Sequence, residues 1–351
     1  MNGNALTEIA VFTGNLTIYW SSILICLGIA AGLFMTLALY PMDHRHNTAV
    51  WVFFPIAVVL SVLLSRLIHW YSHIEQYESL LQALTDYSFG GYCVQGIILG
   101  VLLAALIVRL FRLTPTAGEL LDAVAPGLCL TLALIRLSSL FNTTCRGRIV
   151  ITDEAYQRLP CAVSWTDAAG NVEFRLATFF LEFLVLLVVC IILCVFFIRH
   201  RSEPLWDGWP NEGNVARMFA VLVGIVEIIA DSTRYDSALM HFFLIKRLNP
   251  YASFISIAQV FSAVLILLVF IHYMRISVKT NGWSWYHILA IVLYVASLIG
   301  AGFFGEYRVQ RTAQYVRCYL WQGSSLLVMA LTVIGIYSTC VARDYGYEDD
   351  A

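Results

Sequence analysis

The sequence predicts an all-α, polytopic integral membrane protein, and its composition is the main reason. The chain has 351 residues, of which 60% are hydrophobic and only 13% are charged. Soluble domains carry roughly 25% charged residues, so this chain has about half the charge that a water-facing surface needs. Its mean hydropathy of +0.77 and the long blocks formed by its apolar residues are typical of helices embedded in a bilayer.

The same composition excludes several other classes of protein. A soluble globule and a disordered chain are both too polar to match it. The 21 basic and 23 acidic residues leave a formal net charge of −2, so no polybasic surface is available to attract nucleic acid. The eight histidines show no HExxH motif and no tight His/Cys spacing, and no Walker loop occurs. We therefore expect neither a metal site nor a cofactor.

Long apolar blocks predict about nine transmembrane helices, because a helix of roughly 20 apolar residues crosses a bilayer. The expected spans are 17–40, 50–71, 92–111, 120–141, 176–198, 215–232, 252–274, 285–304 and 319–341. An odd number of spans places the two termini on opposite sides of the membrane.

The distribution of basic residues predicts the orientation, because short cytoplasmic loops are rich in Lys and Arg. The loop at 72–91 contains neither residue. Basic pairs follow the third, fifth and seventh spans, namely Arg109 with Arg112, Arg199 with Arg201, and Arg275 with Lys279. This alternation favours an outer N-terminus and a cytoplasmic C-terminus.

Two regions are expected from these spans. Residues 1–280 would form one membrane domain, with the polar segment 143–175 as a small cap on the outer side. Residues 281–351 would add two transmembrane helices and a short acidic tail. Cys145 and Cys161 share the cap, and their spacing leaves open whether they form a disulfide or stay free.

Charged side chains inside the apolar spans are the strongest functional signal, because an Arg or Asp near the centre of a membrane helix costs ~2.5–3.5 kcal/mol. This signal comes from Arg66, Arg136, Glu182, Glu227, Asp231 and Arg234. The last three follow one another at intervals of four and three residues, which predicts that they share one helical face.

Two interpretations of these charges are open. In the structural one, Arg136 pairs with Glu182 or Asp231 and staples helices together, while Arg66 extends to the membrane surface. In the functional one, the arginines bind an anionic group, for which a phospholipid phosphate is the natural ligand in a membrane. The functional interpretation predicts a central lipid-binding cavity among the helices.

Glycines give a second signal. The third span opens with GGYCVQGIILG (90–100), whose glycines permit close approach by another helix or by a ligand headgroup. Gly28 and Gly32 in the first span form a GxxxG pair, which favours helix packing.

The segment IRLSSLFNTTCRG (135–147) follows a known pattern. It resembles the signature Gly-Arg-x-x-Asn-Phe-x-Asn-Gly-Glu-x-x-Gly of the bacterial prolipoprotein diacylglyceryl transferase family. Arg136, Asn142 and Gly147 match this signature, whereas Ser139 stands at its first Asn and two threonines replace its Gly-Glu pair.

Five further pieces resemble the same family in the same order along the chain. They are SRLIHWY (65–71), GGYCVQGIILG (90–100), Glu182, GIVEIIADSTRYD (224–236) and SFISIAQVFS (253–262). The departures are His69 at a family Tyr, Gln95 at a family His or Tyr, and Glu227 at a family Arg. The resemblance covers about residues 17–274 and indicates a divergent member; the last two spans lie beyond it.

The resemblance implies transfer of a diacylglyceryl group from phosphatidylglycerol to the lipobox cysteine in the signal peptide of a preprolipoprotein, at the bacterial plasma membrane. The expected catalytic residues are Arg136, Arg234, Asp231 and His69. The expected substrate-binding residues are Gln95, Ser139, Asn142, Gly90, Gly91, Gly147, Arg66, Glu182 and Gln259. Arg136 and Arg234 would clamp the phosphate, and the proton acceptor stays open among Asp231, Glu182 and His69.

Two other functions compete with this one. The substitutions at Gln95 and Glu227 favour a catalytically impaired relative that binds phospholipid or a lipoprotein signal helix without turnover. A lipid or solute transporter would also carry intramembrane charges, but the chain has no internal repeat of the kind that many transporters contain.

Overall fold

Helices dominate the protein, as the composition predicts. A computed structural model describes residues 9–13, 16–40, 44–85, 91–142, 145–166, 170–202, 212–235 and 255–341. The helices are α1 Trp20–Leu39, α2 His44–Ser72, α3 Leu80–Thr85, α4 Val94–Leu110, α5 Ala117–Ser138, α6 Glu154–Gln157, α7 Thr178–Ser202, α8 Asn214–Thr233, α9 Ile257–Asn281, α10 Trp285–Gly302 and α11 Tyr315–Val341. The all-α, polytopic membrane class is therefore confirmed.

Seven helices in the described ranges are long and apolar enough to cross a membrane: α1, α2, α5, α7, α9, α10 and α11. The other two predicted spans are also helical but differ in character. Helix α4 has 17 residues, and α8 carries Arg217, Glu227 and Asp231. The number of nine spans therefore stays a prediction.

Two short antiparallel hairpins accompany the helices, one before α1 and one before α7, and the sequence analysis missed both. Strands β1 Ile9–Thr13 and β2 Leu16–Tyr19 precede α1, which therefore begins at Trp20 rather than at 17. Strands β3 Ala162–Thr166 and β4 Val172–Leu176 pair from Ala162↔Leu176 to Thr166↔Val172. The cap segment is thus a folded element, and α7 begins after it at Thr178 rather than at 176.

Small residues allow close packing of α1 on α5, as the GxxxG pair predicts. A Cβ atom at Gly32 would lie 2.8 Å from the Gly127 carbonyl oxygen. The Thr131 hydroxyl donates a hydrogen bond to the Gly28 carbonyl at 2.9 Å. The packing role expected for Gly28 and Gly32 is confirmed.

Helices α2 and α4 meet in the same way. Cβ atoms at Gly96 and Gly100 would overlap the backbone of Ser65 and Ser61, respectively. The Ser65 hydroxyl also donates to the Cys93 carbonyl at 2.8 Å. Part of the glycine-rich start of α4 therefore serves helix packing.

The chain forms two compact units. The first consists of Met1–Phe219 and Arg234–Ala258, and the second of Ala220–Thr233 and Gln259–Ala351. Within the first unit, Asp122 on α5 accepts hydrogen bonds from the backbone N–H groups of Gly213 at 2.6 Å and Ala216 at 2.9 Å. This buried carboxylate caps the N-terminus of α8, where N–H groups would otherwise have no acceptor. The domain boundary at 280 remains a prediction.

Candidate functional site

Arg136 lies in the last turn of α5 and forms an ion pair with Glu182 in the first turns of α7. The distance from Nε to the carboxylate Oε1 is 2.5 Å, and the Glu182 side chain is fully buried. Of the two partners predicted for Arg136, the structure shows Glu182. Since the pair is shielded from water, it holds the guanidinium in one orientation.

The Cys145–Arg148 loop contacts both arginines that the sequence assigns to phosphate binding. The Cys145 thiol accepts a hydrogen bond from Arg136 Nη1 at 3.7 Å. Gly147 forms an antiparallel bridge with Arg234, whose carbonyl also accepts from Arg148 Nε at 3.0 Å. Among the residues that the structure describes, Cys145 and Cys161 form no disulfide.

Position 147 requires a glycine because the backbone of another segment approaches it closely. Its N–H donates to the Leu176 carbonyl at 2.8 Å, and a Cβ atom at Gly147 would lie 2.8 Å from that same oxygen. The close approach predicted at Gly147 is therefore made by β4, which packs the cap hairpin against the loop.

Arg234 does not lie on the helical face expected for it. Helix α8 ends at Thr233, and Arg234 is in the bridge with Gly147. It is 7% exposed. The three-residue interval between Asp231 and Arg234 would place both on one face only if α8 continued through Arg234. Because α8 ends before Arg234, the two residues do not share a helical face.

Arg66, His69 and Gly91 form a second cluster in the first unit. Arg66 Nη1 donates to the Gly91 carbonyl at 3.3 Å, and the guanidinium lies 5.8 Å from the centre of the Tyr92 ring. Arg66 is only 2% exposed. Its guanidinium is therefore enclosed by protein and does not extend into solvent.

His69 is held by its neighbours on α2 and in the following loop. Its Nδ1 atom lies 3.3 Å from the Tyr77 hydroxyl, and its ring stacks on His73 with 4.3 Å between ring centres. Gly91 has φ +107, and a Cβ atom there would lie 2.6 Å from His69 Nδ1. Gly90, the other half of the double glycine, lies outside the described residues.

Gln95 is the buried polar residue that most directly suggests a ligand. It lies in the first turn of α4 and is 1% exposed. Its side-chain oxygen has no hydrogen-bond partner among the described residues. A buried acceptor without a donor is costly, so a bound hydroxyl group would stabilise it.

Ser139 and Asn142 follow Arg136 in a short 3₁₀ turn, Ser139–Phe141. Ser139 is buried, and the Asn142 carbonyl accepts from Arg146 Nη2 at 2.8 Å. Ser139 and Asn142, the two residues predicted to bind glycerol hydroxyls, therefore lie in or directly after the turn that follows Arg136.

Asp231 and Gln259 belong to the second unit. Both are buried. The Gln259 amide donates to the Ser232 hydroxyl at 2.9 Å and to the Glu306 carboxylate at 2.5 Å. The amide predicted to bind substrate thus donates to two side chains of the protein itself.

An apolar cavity of about 330 Å³ lies among α1, α2, α4 and α5. Most of its wall is aliphatic or aromatic, and Tyr92 and Ile135 are among the residues that line it. Ile135 directly precedes Arg136, and Tyr92 carries the Arg66 guanidinium over its ring. The cavity is thus adjacent to both arginine clusters of this unit.

Two buried arginines in the cap were missed by the sequence analysis. Arg146 is 7% exposed and Arg175 is 8% exposed. Arginines in a polar loop are usually solvated, so no sequence signal distinguishes these two. Their burial depends on contacts between segments far apart along the chain.

Comparison with known proteins gives a consistent result. A family model described as Prolipoprotein diacylglyceryl transferase matches residues 8–275. The curated relatives are named phosphatidylglycerol–prolipoprotein diacylglyceryl transferase. One from Lactococcus lactis subsp. lactis is 25% identical over 246 residues, which are 67% of this chain and 86% of the relative. One from Acaryochloris marina is 27% identical over 233 residues, covering 65% and 79%, and one from Limosilactobacillus reuteri is 24% identical over 259 residues, covering 72% and 89%.

Proposed function

Because the chain belongs to the prolipoprotein diacylglyceryl transferase family, we propose that it transfers the diacylglyceryl group of phosphatidylglycerol to the lipobox cysteine of a preprolipoprotein. The cysteine thiol gives its proton to a base, and its sulfur forms a thioether bond to the glyceryl carbon. The bond from that carbon to the phosphate oxygen breaks, and glycerol phosphate leaves with the electron pair.

Arg136 is the proposed phosphate clamp. Its ion pair with Glu182 orients the guanidinium before substrate binds, and a preorganised cation stabilises the charge that grows on the leaving phosphate. Arg234 is proposed as the second clamp because the loop that contacts Arg136 also binds its backbone. The position of Arg136 directly after cavity-lining Ile135 is the observation that carries this proposal.

The apolar cavity is the proposed site for an acyl chain of phosphatidylglycerol. Its wall of aliphatic and aromatic groups matches a hydrocarbon chain, which gains from leaving polar surroundings. The polar part of the lipid would then lie toward Arg136, with Gln95, Ser139 and Asn142 as proposed partners for glycerol hydroxyls.

His69 is the proposed proton acceptor, with Asp231 and Glu182 as alternatives. Of the three candidate side chains, imidazole has the unperturbed pKa nearest to neutral pH, and the contact of Nδ1 with the Tyr77 hydroxyl holds the His69 ring in place. Glu182 is less suited because its carboxylate is already engaged in the ion pair with Arg136.

The proposed setting is a bacterial plasma membrane. The signal peptide of the substrate would bring its lipobox cysteine to the membrane, where phosphatidylglycerol is the second substrate. The N-terminus is proposed to lie outside and the C-terminus in the cytoplasm.

A transfer assay tests this proposal and the role of Arg136. Purified protein in phosphatidylglycerol micelles is incubated with a lipobox peptide, and mass spectrometry detects a gain of one diacylglyceryl unit. Arg136→Lys should lower kcat roughly 10²–10³-fold, because an ammonium cannot replace the planar fork of the guanidinium. Arg109→Lys, at an exposed arginine at the end of α4, is the matched control and should leave kcat unchanged.

No mass gain with the unmodified protein would refute the transferase activity. That result would support the alternative function, binding of phospholipid or a lipoprotein signal helix without turnover. The observation that favours this alternative is Gln95 at the family's His or Tyr position. The alternative would be recognised by saturable binding of phosphatidylglycerol without turnover. Wild-type turnover by Arg136→Lys would refute the clamp alone.

A further inference from the structure

The Arg175 side chain in the cap lies against two aromatic rings. Arg175 lies on β4, and its guanidinium carbon is 4.3 Å from the centre of the Trp165 ring on β3 and 4.4 Å from the centre of the Tyr235 ring. A cation between two aromatic faces is stabilised by both. Through this contact Tyr235, the residue directly after Arg234, packs against the cap hairpin.

The edges of the same guanidinium are bound as well. Nη2 forms an ion pair with Glu173 at 2.9 Å, and Nη1 donates to the Gly147 carbonyl at 3.5 Å. One side chain thus joins three segments that are far apart in sequence: the cap hairpin, the Cys145–Arg148 loop and the segment that follows α8.

The Cys145–Arg148 loop needs such support because its backbone is strained. Cys145 has φ +59, a conformation that residues other than glycine rarely adopt and that persists only when surrounding contacts enforce it. The Cys145 thiol is the group that accepts from Arg136 Nη1. The bridge from Gly147 to Arg234 lies two residues further along.

We propose that Arg175 is a positioning residue that fixes the Cys145–Arg148 loop and, through it, the two phosphate-binding arginines. This inference rests on the proposed function, because it assigns Arg175 to the support of Arg136 and Arg234. Arg175 is buried, its charge is balanced by Glu173 and two rings lie against its guanidinium, so it acts through the loop and does not bind the substrate.

Arg175→Lys is the first test. Lysine keeps the charge for Glu173 but cannot stack on two rings and reach Gly147 at once. We expect kcat for diacylglyceryl transfer to fall roughly tenfold or more, since small displacements of catalytic groups are costly, while KM for phosphatidylglycerol changes by less than about twofold. Arg158→Lys, at an exposed arginine in the same cap, should leave both parameters unchanged.

Trp165 provides a second pair of variants in case Arg175→Lys does not fold. Trp165→Phe keeps an aromatic face for the guanidinium and should retain most of the wild-type kcat. Trp165→Ala removes that face and should lower kcat as Arg175→Lys does. Equal activity of the two Trp165 variants would overturn the proposal.

Hydrogen exchange gives a readout that does not depend on activity. The Gly147 N–H donates to the Leu176 carbonyl and the Tyr235 N–H to the Arg146 carbonyl, both at 2.8 Å. Both amides should exchange faster in Arg175→Lys and at the wild-type rate in Arg158→Lys.

The two proposals can fail separately. If the wild type transfers no diacylglyceryl group, the transferase proposal fails, and the exchange rates still decide whether Arg175 fixes the loop. If the wild type is active, wild-type kcat and exchange rates in Arg175→Lys overturn the positioning role. A raised KM with unchanged kcat also overturns it, because that result indicates direct contact with substrate.

Discussion

At the scale of single residues, Gly91 is the position of the double-glycine segment at which the structure leaves no room for a side chain. Its φ of +107 lies in a region that L residues rarely adopt, and a Cβ atom would lie 2.5 Å from Arg66 Nη1 and 2.6 Å from His69 Nδ1. The backbone and the two side chains thus restrict the position independently. The glycine lets an arginine and a histidine share a space that a methyl group would occupy.

Gly91→Ala is therefore expected to cost more than backbone strain alone. Gly170→Ala is the matched control, because Gly170 also has a positive φ of +87 but has nothing within 4 Å of its added Cβ. The control should lose about 1–2 kcal/mol of stability and keep its transfer activity. Gly91→Ala should lose that amount and also lower kcat, as measured by thermal unfolding and by the peptide transfer assay. Equal kcat in the two variants would show that the placement of Arg66 and His69 beside Gly91 does not matter for the reaction.

At the scale of elements, the second unit contains a buried hydrogen-bond network around Ser232, near the end of α8. Its hydroxyl accepts from the amides of Gln259 at 2.9 Å and Gln322 at 2.7 Å, and it lies 3.0 Å from the Glu306 carboxylate. Glu306 is buried in a π-helical turn, Phe303–Arg308, of the kind that often marks functional positions. The network joins α8, α9, this turn and α11, so residues beyond the family match hold the end of α8.

Gly305 offers a way to disturb this network without removing any of its polar groups. A Cβ atom at Gly305 would overlap the Gln322 amide, whereas one at Gly302 has nothing within 4 Å. Gly305→Ala should push the amide away from Ser232 and lower the free energy of unfolding by ~1–3 kcal/mol, because buried polar groups lose partners. Hydrogen exchange at Ile228–Thr233 should become faster. Gly302→Ala should leave both measurements unchanged. The same exchange rate in both variants would exclude the network as the support for the end of α8.

At the scale of the whole molecule, the features that follow from local pattern were predictable. Apolar blocks predicted the helices, and the charges inside the spans predicted Glu182 as one of two alternative partners of Arg136, which is the one the structure shows. The cap hairpin and Arg175 were missed because their stability comes from contacts between distant segments, such as that with Tyr235. The predicted sixth span ended at 232, close to the observed end of α8 at Thr233, but the three-residue interval from Asp231 still led to the wrong placement of Arg234 on the helical face.

The number of membrane crossings is the whole-molecule property that remains to be measured, and its parity decides the orientation of the termini. Helix α4, with 17 residues, is about 25 Å long at 1.5 Å per residue, somewhat less than the ~30 Å hydrocarbon core. Helix α8 carries three charged residues, including Asp231. If both cross the membrane together with the seven candidate spans, the N-terminus and C-terminus lie on opposite sides.

We therefore expect a reporter that is active only outside the cytoplasm to be active when fused to the N-terminus and inactive when fused to the C-terminus. A cytoplasm-dependent reporter should give the reverse pattern. Insertions after Arg112, in the basic loop that follows α4, should report the cytoplasm because the positive-inside rule places that loop there. Termini on the same side would show that one helix does not cross. If the N-terminus and the Arg112 loop both report the cytoplasm, the missing crossing lies in the α1–α4 region. If the Arg112 loop reports the cytoplasm and the C-terminus reports the outside, the missing crossing lies among the helices that follow this loop. Of those helices, α8 is the most polar.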